Sequence, residues 1–109
     1  MSIGLSPAIS DYFIADQRRD PKAVSECFTG DAVVKDEGQT YNGRDAIEQW
    51  VADTYQKYTC TVEPFAIATK DDRMVVTCHL AGNFPGSPID LRYMFVLAGD
   101  KIASLDIVL

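Results

Sequence analysis

The spacing of the apolar residues changes once along the chain, and this change constrains the fold more than any other feature. In the first half apolar side chains recur three and four residues apart, and from Tyr58 onward they recur at every second residue. The first spacing is typical of helices with one buried face and the second of strands. The sequence therefore predicts one α+β domain over residues 1–109, in which helices come first and a curved antiparallel sheet follows.

Local signals mark where the helices begin. Ser6-Pro7 combines a serine N-cap with a proline at the first helical position, and Asp20-Pro21 repeats this signal. Asn42-Gly43 leads into a third helix with an apolar stripe around Trp50. We expect the second helix to end at Gly30, because glycine readily adopts the backbone conformation that terminates helices.

Five segments have the composition of strands, and they are Asp31–Asp36, Thr59–Thr69, Met74–Ala81, Ile89–Leu97 and Ile102–Leu109. A turn after the first of them would let Thr40-Tyr41 pair with it. Glu63-Pro64 lies inside the second and indicates a bulge or a sheet edge, because proline has no amide hydrogen to donate to a neighbouring strand.

Two of these strands are apolar on both faces. Met74–Leu80 and Tyr93–Leu97 contain few polar residues on either side of the alternation. A sheet that helices cover on one side only should be polar on the other. We therefore expect a homodimer in which the outer face of the sheet meets a second subunit.

Composition excludes several classes of partner. The net charge of −6, from 16 acidic and 10 basic residues, disfavours binding to nucleic acid or to an anionic membrane. No apolar run approaches the roughly 18 residues of a membrane helix. Met1–Ser10 has no basic residue and is not typical of a signal peptide, so we expect a cytoplasmic protein. The three cysteines give neither a disulfide framework nor a metal motif.

The single histidine, His79, excludes most metal sites and most Ser-His-Asp triads. Its neighbour Cys78 points to the opposite face of the same strand, so the two cannot form a dyad. The segment 82–86 joins two strands and lacks the lysine and the following helix of a phosphate-binding loop. We expect no metal and no external cofactor.

The remaining reactive groups are carboxyls, phenols and one arginine. Asp36 ends the first strand, and Tyr12 and Asp16 lie one turn apart on the first helix. Asp90 and Arg92 share one face of a strand. Asp106 interrupts an apolar run on the neighbouring strand. Each residue could instead be exposed, at an edge or in an ion pair, whereas a buried carboxyl needs a partner or a wet pocket.

Three motifs follow one another along the chain, and they are Arg19-Asp20-Pro21 with residues 27–33, Tyr41-Asn42-Gly43-Arg44-Asp45-Ala46-Ile47, and Phe95-Val96-Leu97-Ala98-Gly99-Asp100-Lys101-Ile102. In this order they resemble the nuclear transport factor 2-like superfamily, in its SnoaL-like and ketosteroid-isomerase-like branch. The resemblance covers essentially the whole chain. It implies a cone-shaped roll, with N-terminal helices packed on a curved sheet around an apolar pocket, and it does not specify an activity.

The resemblance to the isomerases implies roles for particular residues. Tyr12 occupies the position of the tyrosine that donates a hydrogen bond to the oxyanion, and Asp36 that of the general base. Pro88-Ile89-Asp90 is similar to the segment that carries the second oxyanion donor, although counting back from the last hairpin places Arg92 there. The implied ligand is a small apolar organic molecule.

The fold also resembles that of limonene epoxide hydrolase, which uses an Asp-Arg-Asp cluster. Asp90, Arg92 and Asp106 supply the same residue types, with the first pair in reversed order. A third interpretation is a non-catalytic ligand-binding or dimerisation domain. The side chains expected to line the pocket in addition to the catalytic candidates are Phe13, Asp16, Trp50, Phe65, His79 and Met94.

Overall fold

The computed structural model describes residues 4–109 and confirms the predicted α+β class. Three of the ten residues considered for a signal peptide, those numbered 1–3, lie outside the described residues. The described part contains three helices and six strands in the order α1 (Pro7–Gln17), α2 (Pro21–Glu26), β1 (Phe28–Asp36), β2 (Gln39–Asn42), α3 (Arg44–Lys57), β3 (Cys60–Lys70), β4 (Arg73–Gly82), β5 (Ile89–Ala98) and β6 (Lys101–Val108).

Both predicted serine and aspartate caps lie at helix starts, but only one of them makes a capping bond. The Asp20 carboxylate accepts a hydrogen bond from the Ala23 amide at 3.1 Å, which satisfies one free amide of α2. Ser6 has the extended backbone of an N-cap, yet its side chain makes no capping bond. Its buried hydroxyl has no hydrogen-bond partner among residues 4–109. Pro7 alone therefore carries the start signal of α1.

The predicted end of the second helix is wrong. α2 ends at Glu26, and Gly30 lies inside β1 rather than at a helix terminus. The Ile102 amide donates to the Cys27 carbonyl at 2.9 Å, and Phe28 pairs with Ile102 of β6. This long-range pairing draws Phe28 into the sheet, where it is fully buried, and so overrides the local glycine signal.

The sheet has the strand order β2-β1-β6-β5-β4-β3. Neighbouring strands are antiparallel except for β1 and β6, which run parallel with Val34 opposite Leu105. The sheet is therefore mixed rather than purely antiparallel as predicted. β1 lies between β2, the next strand in the chain, and β6, the last strand. Thr40 and Tyr41 pair with β1 as expected.

Register shifts bend the sheet around the helices. One lies in β3 between Pro64 and Ala66, on a strand at the edge of the sheet, so the proline marks both a bulge and an edge. Others interrupt the β1–β6 pairing and the β5–β6 pairing. An extra residue in one strand of a pair increases the local twist and bends that strand. The sheet is thereby curved, and it remains unclosed.

The core lies between the helices and the concave inner face of the sheet. The Tyr12 ring of α1 meets the Phe95 ring of β5 edge to face, with 5.6 Å between ring centroids. Phe13 contacts the same ring at 5.9 Å. The fully buried side chains Ile47, from α3, and Leu105, from β6, complete this layer. None of the described helices is long and apolar enough to cross a membrane.

Candidate active site

A cavity of about 690 Å³ lies between α1, α3 and the inner face of the sheet. This volume is within the range of pockets that hold small organic ligands. Apolar side chains form much of its wall, and those of the sheet include Val62, Leu80, Leu91 and Ile107. The apolar pocket implied by the resemblance is therefore present between the first helix and the sheet.

The alternation of β5 decides which of its residues reach the cavity. Ile89, Leu91 and Tyr93 line it. Asp90 and Arg92 lie between them in the strand and therefore point to the outer face. Four of the residues predicted from the sequence line the cavity, and they are Tyr12, Asp16, Asp36 and Trp50.

Asp36 reaches the cavity from the end of β1. The indole Nε1 of Trp50 donates a hydrogen bond to its Oδ2 at 3.3 Å. Burial raises the pKa of the Asp36 carboxyl, and the nearby Glu37 charge acts in the same direction, whereas the bond from Trp50 partly opposes them. A carboxyl with a raised pKa is a stronger base once it is ionised, as a general base requires.

Tyr12 is 2% exposed and lines the cavity from α1. Its hydroxyl makes no hydrogen bond with any residue in the range 4–109. Burial raises the pKa of this phenol well above its ordinary value, and the Asp16 charge adds to the shift. The hydroxyl therefore keeps its proton and can donate a hydrogen bond to a ligand in the cavity.

Tyr93 supplies a second phenol that sequence reasoning missed as a site residue. It is 5% exposed, lines the cavity from β5, and its ring centroid lies 6.4 Å from that of Tyr12. Its hydroxyl likewise has no hydrogen-bond partner within the described chain. Burial is the main cause of its raised pKa. The signal was available, because Tyr93 shares the inward parity of Phe95 on the same strand.

Asp16, at the end of α1, and Tyr55, of α3, form a half-buried pair. The Tyr55 hydroxyl donates to Oδ1 of Asp16 at 2.6 Å. Burial raises the pKa of the Asp16 carboxyl, and the bond from Tyr55 partly opposes this effect. The Arg19 guanidinium lies 4.9 Å from the Tyr55 ring centroid and donates to the backbone carbonyls of Tyr55 and Tyr58. Sequence reasoning did not assign Arg19 or Tyr55 to the site, although both line the cavity.

The other polar candidates lie on the outer face of the sheet. Asp90 Oδ1 is 2.7 Å from Nδ1 of His79 across strands β4 and β5. Arg92 donates to the Leu109 carbonyl at 3.2 Å and 2.5 Å from two of its nitrogens. Asp106 is 3.8 Å from Nη1 of Arg73. The structure thus separates these groups from Asp36 and Tyr12 by the thickness of the sheet.

Three apolar candidates also lie away from the cavity. Phe13 is a core residue, 4% exposed, and packs on Tyr93 and Phe95. Phe65 is 49% exposed beside the bulge of β3. Met94 lies on the outer face, with its sulfur 4.0 Å from Nη1 of Arg73. Alternation explains Met94, and the bulge explains Phe65, because an extra residue breaks the parity used to assign it.

Residues 4–109 contain no group of three or more His, Cys, Asp or Glu side chains placed to hold one metal ion. The three cysteines are unpaired thiols, of which Cys60 borders the cavity. The chemistry available to a ligand in the cavity is therefore that of the carboxyls of Asp16, Asp36 and Glu37, together with phenols, a thiol, an indole and the Arg19 guanidinium.

Comparisons with known proteins agree with this architecture. The model of the SnoaL-like domain family matches residues 9–104. The solved structure of a "putative polyketide cyclase" from Sinorhizobium meliloti is 37% identical, with a TM-score of 0.89 over 94% of each chain. No curated protein matches the chain.

Two more distant structures share the fold. A Catenulispora acidiphila protein with a ketosteroid isomerase-like fold, solved with trimethylamine, is 19% identical, with a TM-score of 0.84 over 97% of this chain and 87% of that one. The epoxide hydrolase/cyclase-like enzyme SalBIII, which acts in pyran ring formation in the polyether salinomycin, is 20% identical, with a TM-score of 0.78 over 93% and 86%. Since the family model spans most of the sequence and the fold agrees, the chain belongs to the SnoaL-like domain family.

Proposed function

We propose that this protein is a small-molecule enzyme that transfers a proton at the carbon α to a carbonyl group. Asp36 is the general base, and the Tyr12 hydroxyl donates a hydrogen bond to the carbonyl oxygen. One observation carries the proposal: a half-buried carboxyl with a raised pKa and a buried phenol without a partner in the described chain line the same apolar cavity.

The proposed reaction begins when the Asp36 carboxylate takes the α proton. The electrons of the broken C–H bond then form the enolate, and negative charge develops on the carbonyl oxygen. The Tyr12 hydroxyl stabilises this charge, which is larger than in the bound ketone, so the bond lowers the barrier. Asp36 returns the proton to carbon, at the original position or at a conjugated one, and is regenerated as a carboxylate.

Tyr93 is the proposed second donor to the same oxygen. The resemblance to the isomerases placed this role at Asp90 or Arg92, but both lie on the outer face of the sheet. The Tyr93 ring lies 6.4 Å from that of Tyr12, and its hydroxyl is equally unpaired in the described chain. Two donors converging on one oxygen stabilise an oxyanion better than a single donor does.

The proposal is tested by the exchange of the α protons of 2-tetralone for deuterium from D₂O. The α protons of this ketone are acidic enough to exchange. Proton NMR measures the rate with and without the protein. We expect Asp36→Asn to lower the catalysed rate by about 10²–10⁴-fold, as is usual when a general base is lost. Asp106→Asn is the matched control on the outer face and should keep the wild-type rate. Equal rates for Asp36→Asn and the wild type would show that Asp36 is not the base.

Two alternatives use the same fold differently. Epoxide hydrolysis by Asp90, Arg92 and Asp106 is poorly supported, since none of the three lines the cavity. Binding without turnover is better supported, because the apolar wall and the unpaired phenols favour a ligand whether or not it reacts. A wild-type protein that binds 2-tetralone but does not speed its exchange would favour the binding function.

We further propose a homodimer that forms through the outer face of the sheet. Val75, Met94 and Val96 lie on this face and are only half-buried in the single chain, although they are apolar. Sedimentation equilibrium at micromolar concentration should give twice the mass of the chain. A monomeric mass would contradict the proposal, and Met94→Glu should shift a dimer towards monomer.

We also propose that the protein is located in the cytoplasm. Its support is that Cys27, Cys60 and Cys78 are all free thiols, as expected in a reducing compartment. Cell fractionation followed by immunodetection tests it, and recovery of the protein outside the cytoplasmic fraction would contradict it.

A further inference from the structure

The proposed reaction uses Asp36 and leaves a second cavity carboxyl, Asp16, without a role. Asp36 lies on β1, whereas Asp16 and Tyr55 border the cavity together with Cys60 and Val62 of β3. In the sheet order, β6, β5 and β4 separate β1 from β3. The two carboxyls therefore occupy opposite sides of one cavity.

Asp16 has an oxygen available for a ligand. Its Oδ1 accepts the bond from Tyr55, and no residue in the described chain bonds to its Oδ2. Arg19 lies close enough for its charge to lower the pKa of Asp16, but the two form no ion pair within residues 4–109, and Nη2 of Arg19 instead donates to the carbonyls of Tyr55 and Tyr58. A half-buried carboxyl without a direct ion pair is stabilised by further hydrogen bonds.

The two unpaired phenols lie between the carboxyls. Both Asp16 and Asp36 raise the pKa of Tyr12, and both raise the pKa of Tyr93. Tyr12 and Tyr93 line the same cavity as both carboxyls. This pattern agrees with the topology, in which Tyr93 lies on β5, between β1 and β3.

We propose that the cavity selects ligands with two oxygen groups, a carbonyl held by Tyr12 and Tyr93 and a hydroxyl held by Asp16. The part that concerns the carbonyl rests on the proposed function. The substrate class is then an apolar ring compound that carries a ketone and, on the side remote from the reacting carbon, a hydroxyl group. The hydroxyl and Oδ2 of Asp16 form one hydrogen bond across the open side of the carboxyl.

Tyr55 is a positioning residue in this arrangement. Its hydroxyl donates to Oδ1 of Asp16 at 2.6 Å, which fixes the orientation of a carboxyl that lines the cavity and leaves Oδ2 without a bond from the described chain. Arg19 in turn packs on the Tyr55 ring and bonds to the backbone carbonyl of the same residue, which fixes the end of α3 against the end of α1.

The test compares 2-tetralone with its 5-, 6-, 7- and 8-hydroxy isomers, which carry the hydroxyl at four distances from the ketone. NMR titration of the whole chain gives the Kd of each compound. For the wild type we expect at least one isomer to bind about tenfold more tightly than 2-tetralone, the gain typical of one hydrogen bond to a charged group. In Asp16→Leu this preference, which is the ratio of the two Kd values, should fall below about twofold.

Three further variants separate the possible causes. Asp16→Asn keeps an acceptor oxygen and should retain part of the preference, and Tyr55→Phe should reduce the ratio of the two Kd values. Asp36→Asn should keep the full preference while it loses proton exchange, so a failure of the proposed base leaves the result for Asp16 interpretable. The inference is overturned if no tetralone binds, if no isomer is preferred, or if Asp16→Leu keeps the preference.

Discussion

The aspartates inside the cavity and those on the outer face of the sheet have different kinds of partner. Asp36 accepts a bond from the Trp50 indole, and Asp16 accepts one from the Tyr55 hydroxyl. Asp90 instead faces His79, and Asp106 faces Arg73. The inner carboxyls thus have neutral donors, whereas the outer ones have basic groups.

The two inner carboxyls are partly removed from water. Burial raises the pKa of each, and the bonds from Trp50 and Tyr55, together with the Arg19 charge near Asp16, oppose this effect only in part. The outer pairs are partly exposed, and water and salt screen them. Residue type alone did not distinguish the two groups, since both are aspartates on or near strands.

The largest expected effect is on the free energy of unfolding, and it compares a side chain of the inner layer with an exposed one. Phe95→Ala should lower the free energy of unfolding by about 3–5 kcal/mol, because it removes a fully buried ring from the inner layer. Phe65→Ala, at an exposed position, should change it by about 0.5 kcal/mol or less. Urea unfolding followed by the fluorescence of Trp50, the only tryptophan, measures both. Similar losses of unfolding free energy for the two variants would contradict the distinction between the inner layer and the exposed side chains.

The next effect concerns the phenols. Tyr12→Phe and Tyr93→Phe should each lower the exchange rate of 2-tetralone by about 10²–10³-fold, because each removes one donor to the developing oxyanion. Tyr41→Phe is the matched control, since the Tyr41 ring stacks on Trp50 and does not line the cavity. If Tyr93→Phe behaves like Tyr41→Phe, Tyr12 acts without a second donor.

A smaller effect should appear in the pH dependence of catalysis. Asp36 acts as a base only when ionised, so kcat/KM for exchange should rise with pH. The midpoint should lie above 3.8, the ordinary value for an aspartate, because burial raises the pKa of this carboxyl. Asp106→Asn should leave the profile unchanged, and a midpoint at or below 3.8 would contradict the assignment.

The same raised pKa makes stability depend on pH. The contribution of Asp36 is fully present below its unfolded pKa and is lost as the pH rises through its higher folded pKa. Asp36→Asn cannot ionise, so its stability relative to the wild type should increase from acidic to neutral pH. Urea unfolding at a series of pH values measures this difference, which would stay constant if the folded protein did not raise the pKa.

The smallest effect is expected for the outer pair of His79 and Asp90. Both side chains are about half exposed, so His79→Ala should cost about 0.5 kcal/mol or less and leave proton exchange unchanged. A clear loss of exchange in this variant would mean that the outer face contributes to the reaction and would remove the distinction drawn above.

Sequence patterns predicted the elements better than the site. Helix starts at Pro7 and Pro21, the bulge at Pro64 and the strand boundaries after β1 follow, within one or two residues, from local chemistry. The site predictions that used position along a strand without its parity placed Asp90 and Arg92 in the cavity. The alternation of the strand would have indicated Tyr93. Residues two apart in a strand share a face, and Phe95 belongs to the apolar inner face.

By itself, the sequence determined the order of helices and strands and much of the inward-facing side of each, since both depend on residues a few positions apart. Only the tertiary structure decided that β1 runs parallel to β6 and that Phe28 belongs to β1 rather than to α2. It also decided that the Tyr55 hydroxyl donates a hydrogen bond to Asp16. These outcomes depend on pairings between residues tens of positions apart. Local spacing carries no information about such contacts, whose geometry is set when the helices close over the curved sheet.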